Sequence, residues 1–320
     1  MVDKSVANKV SFADGKAVNT GTINLQDNIE NAIGMYVNID SNMTNNGIIN
    51  ISAKSENGPN SGMRADQVDA ANATHSEDYD TTVINAKTIN ITGKNGIGMI
   101  ANGKTDKGTA KALSSGTITI TGGETNYGLF ANNEATAENI GTITIKDSKN
   151  SIGMASLYDQ ANSKTSTAIN NGQIVVNSAN STGVYNTGIF SMNNQNATVS
   201  VDGNQSIGVY ATGANSKTTL SAGTINVKHS GVGLYSDNSI ITLDNTSSNL
   251  NLVADEGGLL FYNYESANPL ISSGKFELKG NVKAKIKDKG YAFYIKGAKV
   301  TEHGGTNSDL ASKRDRKSVV

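Results

Sequence analysis

The densest group of potentially reactive side chains in this sequence is Arg64, Asp66, Asp69, His75, Glu77, Asp78, Tyr79 and Asp80. Asp78 and Asp80 flank Tyr79, with Glu77 and His75 close by. Clustered oxygen donors are what a divalent cation needs, and paired carboxylates are what glycoside hydrolysis uses. The same run also reads as a solvated acidic loop, the commoner meaning of a charge run, or as a loop that touches a partner. Elsewhere the inventory is sparse. His75, His229 and His303 are remote from one another, without the H-x-x-x-H spacing of a metal site. The chain has no cysteine, which excludes a disulfide framework and thiolate-ligated zinc. No G-x-S-x-G or G-x-G-x-x-G occurs, nor the calcium-binding nonapeptide of β-roll toxins. With 27 basic against 28 acidic residues the net charge is −1, so there is no electrostatic footprint for nucleic acid. The expectation is a chain that is not an enzyme and takes no cofactor and no metal.

What must position these residues is a repeat. Gly141-Thr-Ile-Thr-Ile145 is followed, after a polar gap, by Ile152-Gly153-Met154; Gly116-Thr-Ile-Thr-Ile120 is followed by Tyr127-Gly128-Leu129. The first half, G-[TI]-I-x-[IVL], recurs at Gly21–Leu25, Gly47–Ile51 and Gly223–Val227, with looser copies at Lys87–Ile91, Gly172–Val176 and Thr198–Asp202. The second half recurs with its glycine at Gly34, Gly62, Gly98, Gly183, Gly208 and Gly233. Units start roughly 25 to 40 residues apart, the spacing of solenoid repeats.

In Thr117-Ile118-Thr119-Ile120 the two isoleucines share one face and the two threonines the other, which is strand and not helix periodicity. Asn45-Asn46-Gly47 and Asn170-Asn171-Gly172 read as corners supplied with positive φ. One unit is therefore strand, corner, strand, corner and a return segment. Ordering such a unit costs several times what its few apolar side chains return, so units must stack. The predicted fold is all-β: a right-handed parallel β-helix of about ten coils, with Ile, Val, Leu and Met inside and Thr, Asn and Lys outside.

Residues 1–18 read as a partial leading coil with Val10-Ser11-Phe12 as its strand, 19–249 as regular coils and 250–312 as degenerate ones. Loop insertions are expected near 64–83, 103–113 and 157–168 and, as in other solenoids, on one side. The end 313–320 is set aside because Asp315–Val320 reads as a translated sequencing adapter, and the start carries no apolar signal segment, so both ends are expected to be those of a fragment. No apolar run approaches a membrane span.

The unit G-T-I-x-I…I-G-M-[YA], clearest over residues 20–240, resembles the repeats in passenger domains of fusobacterial autotransporter adhesins, very large outer-membrane proteins of type V secretion. The resemblance implies a secreted, surface-anchored stalk that attaches to host cells or other bacteria through a protein or glycan receptor. It also implies anchoring of the full-length protein by a C-terminal β-barrel, with no membrane contact within this stretch. It transfers no ligand-binding residue to any position here. The alternative, from another class, is a β-helical carbohydrate-active enzyme of the polysaccharide lyase or phage tailspike type. Three Arg, no Trp and few aromatics weigh against the clustered groove such an enzyme needs.

Overall fold

The computed structural model describes residues 16–26, 29–38, 41–54, 58–67, 80–103, 108–264 and 274–296. Among them there is no helix, and so none long and apolar enough to cross a membrane. The chain winds as a right-handed parallel β-helix whose strands form three ten-stranded parallel sheets. At the usual strand spacing, ten rungs extend over roughly 43 Å.

The predicted first halves all fall in one sheet, here the isoleucine sheet. Ile118 pairs with Ile89 and Ile143, and Ile120 with Ile91 and Ile145, so two unbroken columns of β-branched side chains run along the interior. All are fully buried. The predicted second halves fall in another, the glycine sheet. In Ile152–Ser156 both Gly153 and Met154 face inward, so strict alternation is broken at the glycine. Eight consecutive coils place glycine there. A Cβ on Gly34, Gly62, Gly98, Gly128, Gly153, Gly183 or Gly208 would lie 2.5–2.7 Å from the carbonyl oxygen of the next glycine in the column.

The return segment is itself a strand, and these strands make the third sheet. Thr81–Asn85, Ala110–Ser114 and Thr136–Asn139 are examples, paired in register along the whole stack. Their sequences (TTVIN, AKALS, TAEN) share only a small or apolar residue two places before a terminal Asn or Ser, too little alternation to announce a strand.

The Asn-Gly corners also differ from expectation. None of Asn45, Asn46, Asn170 or Asn171 has positive φ, and neither do Gly47 and Gly172. Asn45 and Asn170 are buried and hold coils together: Asn19 Nδ2 donates to Asn45 Oδ1 at 2.8 Å, Asn45 Nδ2 to Asn85 Oδ1 at 2.9 Å and Asn139 Nδ2 to Asn170 Oδ1 at 2.9 Å. Gly47 is required by proximity, since its Cβ would sit 2.0 Å from Gly21 O. The left-handed residues lie mostly at the corner between the isoleucine and glycine sheets, for example Asn95, Thr125, Asn150 and Asn180. Buried serines stitch that corner: Ser178 and Ser181 both donate to Ser148 O, at 2.6 and 2.7 Å.

The ends of the expected insertions are strand. Asn60–Asp66 belongs to the glycine sheet and Thr81–Asn85 to the return sheet; Ala110–Ser114 and Thr167–Asn170 are likewise return strands. What remains between strands is 67–80, 103–109 and 157–166, the last containing an antiparallel pair, Tyr158–Asp159 with Lys164–Thr165. A fourth, 265–274, was not legible in the sequence. All four connect a glycine-sheet strand to a return strand.

Beyond Leu250 the repeat wording loosens but the pairing does not. Leu250–Ala254 stays in register with Gly223–Val227, and Leu259–Tyr264 with Val232–Asp237. Lys16–Asn19 pairs with Ser41–Asn45 as a full return strand, while Val10-Ser11-Phe12 and 297–320 lie outside the described residues.

Candidate functional site: the aromatic face of the glycine sheet

Outward positions of the isoleucine and return sheets carry Thr, Asn, Gln, Ser, Lys, acidic and aliphatic side chains, and no aromatic among the described residues. The glycine sheet is different. Nine of the eleven tyrosines stand on it: Tyr36, Tyr127, Tyr185, Tyr210, Tyr235, Tyr262, Tyr264, Tyr291 and Tyr294. Five form one column, because parallel in-register pairing puts Tyr185 beside Tyr210, Tyr210 beside Tyr235, Tyr235 beside Tyr262 and Tyr262 beside Tyr294. Ring centroids are 5.6, 4.8, 4.4 and 5.0 Å apart in turn. The first two contacts are edge-to-face and the last two stacked, both favourable arrangements of aromatic quadrupoles.

The column has an apolar side and a polar side. Toward the isoleucine sheet lie Ile207, Val232 and Leu259, and toward the insertion corner Thr212, Asp237 and Tyr264. Asp237 accepts hydrogen bonds from Tyr210 Oη at 3.0 Å and Thr212 Oγ1 at 3.2 Å. Burial, with the Asp237 carboxylate adding to it, pushes the Tyr210 phenol up to about 12; Tyr235 is raised further, by burial first and then by Tyr262. Farther up the stack the same position is held by Tyr36, Arg64, Ile100, Phe130 and Ala155. A cleft of about 210 Å³ opens at the edge of this face, between Gly58, Pro59, Asn95, Ile97, Thr125 and Tyr127.

The reactive residues singled out in the sequence separate. Arg64 and Asp66 lie on this face, where Arg64 Nε donates to both Asp66 carboxylate oxygens at 2.8 and 2.9 Å. Asp66 also helps raise the Tyr36 phenol, behind burial as the main cause. Asp80 is elsewhere: it accepts from Thr109 N at 2.7 Å and Thr109 Oγ1 at 2.9 Å, tying together the starts of two neighbouring return strands. Asp69, His75, Glu77, Asp78 and Tyr79 lie outside the described residues. Among the described residues no three His, Asp or Glu are grouped to hold a metal ion.

One polar cluster was not foreseen. His229, at a left-handed corner, bridges Asp202 through Nδ1 and Glu256 through Nε2 (3.0 Å), linking three successive coils. The hydrogen bond to Asp202 holds its imidazole above the ordinary value, with the Glu256 charge adding to that. The tyrosine column, by contrast, was findable. It is the residue after the apolar one in the second half-repeat, a position left open when only glycine and its neighbours are aligned. Comparison with protein-family models, curated proteins and solved structures returns no match.

Proposed function

We propose that this chain is a length of extracellular adhesin stalk from a bacterial surface autotransporter, serving attachment to host cells or to other bacteria. The observation that carries the reading is segregation. Ten rungs repeat one packing solution, and their departures from it gather together: the aromatic side chains on one face, the insertions at the corner beside that face. A solenoid that presents a long surface and concentrates its variation along one side is built to be touched along its length. The wording of the repeat, similar to that of fusobacterial passenger domains, supplies the surface-anchored context.

Two measurements test this. Fluorescently labelled chain is applied to epithelial cells and to a panel of bacteria; saturable binding supports attachment, and binding no greater than that of an unrelated β-helix overturns it. Sequencing the source gene through both ends tests anchoring. A signal peptide upstream and alternating amphipathic strands downstream support it, whereas a closed frame or neighbouring phage structural genes would end it.

A further inference from the structure

We infer that the tyrosine column from Tyr185 to Tyr294, with the apolar and polar columns on either side, is a binding lane for a neutral, extended β-linked glycan. The inference rests on the attachment reading and names the ligand class of its surface. The first argument is that the fold does not ask for these rings. Ala155 occupies the same column and keeps full register with Phe130 on one side and Tyr185 on the other. Ile100 and Arg64 do the same higher up. A stack that accepts Ala, Ile or Arg at this position does not need tyrosine in five consecutive coils, so the run reflects what the surface meets.

The second argument is the chemistry of the lane. Sugars present apolar C–H faces and hydroxyl edges together. Here the aromatic column is bordered by Ile207 and Val232 on one side and by the Thr212 hydroxyl and Asp237 carboxylate on the other. The rings recur once per coil, about 4.8 Å along the axis at the usual strand spacing, close to the advance per sugar of an extended β-linked chain, so one ligand can meet successive coils.

The third argument is charge. Across the coils of Tyr210, Tyr235 and Tyr262 the outward glycine-sheet positions contain one carboxylate, Asp237, and no Lys or Arg; the last coil of the lane places Lys296 in register with Tyr264. A polyanionic glycan would find no counter-charge across those three coils. A second copy of this chain docked on this face would bury Asp237, a charge that protein interface cores avoid.

The test titrates the whole chain with cellobiose, cellohexaose and a hexamer of galacturonic acid, followed by tyrosine fluorescence and calorimetry. The expected result is that cellohexaose binds at least tenfold more tightly than cellobiose and the uronic hexamer does not bind. Tyr235→Leu, which keeps apolar cover, should weaken cellohexaose at least tenfold with an unchanged circular dichroism spectrum. Tyr210→Phe, which keeps the ring, should weaken it about threefold. Equal affinity for long and short sugars, preference for the uronic hexamer, or full binding by Tyr235→Leu overturns the lane. Concentration-dependent dimerisation abolished by Tyr235→Leu, with no sugar binding, assigns the face to a second copy and also overturns it. If the chain binds cells but no sugar, the glycan inference alone falls; if it binds sugar but no cells, the attachment reading falls.

Discussion

The glycine column of the glycine sheet makes a sharp prediction, because proximity and backbone conformation assign opposite sensitivities to two glycines only six residues apart. Gly128 has an ordinary φ, but a Cβ on it would stand 2.5 Å from Gly153 O and 3.1 Å from Ile143 Cγ2. The carbonyl belongs to a neighbouring strand, so relief requires the strands Tyr127–Asn132 and Ile152–Ser156 to separate locally. Overpacking of this kind costs about 3 kcal/mol, and weakening one or two ladder hydrogen bonds adds about 1 kcal/mol each. Gly128→Ala should therefore lose about 4 kcal/mol. Gly122 is the reverse case: its φ is +68°, and nothing lies within 4 Å of its Cβ position. Gly122→Ala meets only the left-handed penalty of about 1–2 kcal/mol, so its loss should be the smaller by a clear margin. Urea denaturation followed by far-ultraviolet circular dichroism measures both. Equal losses, or a greater loss at Gly122, would refute the claim that these glycines are selected by the approach of the next coil.

Other outcomes follow from the polar ladders and from the titrating groups. Asn139→Ala leaves Asn170 Oδ1 and Gln173 O without the donor that reaches them at 2.9 and 3.1 Å, and should destabilise by about 2–4 kcal/mol in the same urea assay. The folded His229 imidazole has a raised pKa, so its stabilisation is complete below the unfolded value of 6.5 and is lost as pH rises through the folded value. The melting temperature should accordingly fall across that window in the wild type, and His229→Gln should flatten this part of the profile. Tyr210 titrates at about 12, so its contribution is present below 10 and lost as pH rises through 12. In a spectrophotometric titration its phenolate should appear late, and Asp237→Asn should bring it earlier while burial still keeps it above 10.

How much of this was readable in the sequence depended on whether the signal was local. Ile118 and Ile120 declare their strand within four residues, and Gly128 declares its own through the residues either side, so two of the three sheets were legible with their members. The return strands were not, because a stretch such as Thr136-Ala-Glu-Asn139 takes its strand identity from neighbours a full coil away. The same applies to Asn45, whose side-chain partners Asn19 and Asn85 lie 26 and 40 residues distant. Read locally, Asn-Asn-Gly is a turn; only stacking turns its first asparagine into a buried rung. The expected binding loop fared similarly: Arg64 and Asp66 proved to be strand residues on the aromatic face, and Asp80 a coil-to-coil tie.

Unequal spacing with constant register has a physical explanation at the corners. At the corner from return to isoleucine sheet, Asn45 Oδ1 accepts from Gly47 N at 3.2 Å while its Nδ2 reaches Thr88 O in the next coil at 3.2 Å. An added residue there would pull the amide out of a buried ladder and leave donors and acceptors unpaired, so most of these connections stay short. At the corner from isoleucine to glycine sheet, the buried serines impose a similar limit: Ser151 N donates to Ser181 Oγ at 3.2 Å and Ser181 N to Ser206 Oγ at 3.1 Å, each bond joining consecutive coils. The third corner has its own buried ladder over the later coils: Ser156 Oγ donates to Asn186 Oδ1 at 2.7 Å, Asn186 Nδ2 to Ser216 Oγ at 3.0 Å and Ser239 Oγ to Ser216 O at 3.5 Å. Even so, the connections 67–80, 103–109, 157–166 and 265–274 each join a glycine-sheet strand to a return strand. Of these only 265–274 falls between coils of the tyrosine lane, and the strands on either side of it stay in register with the preceding coil. Polar ladders therefore occur at all three corners, and register survives connections of unequal length because each strand takes its partner from the coil before it.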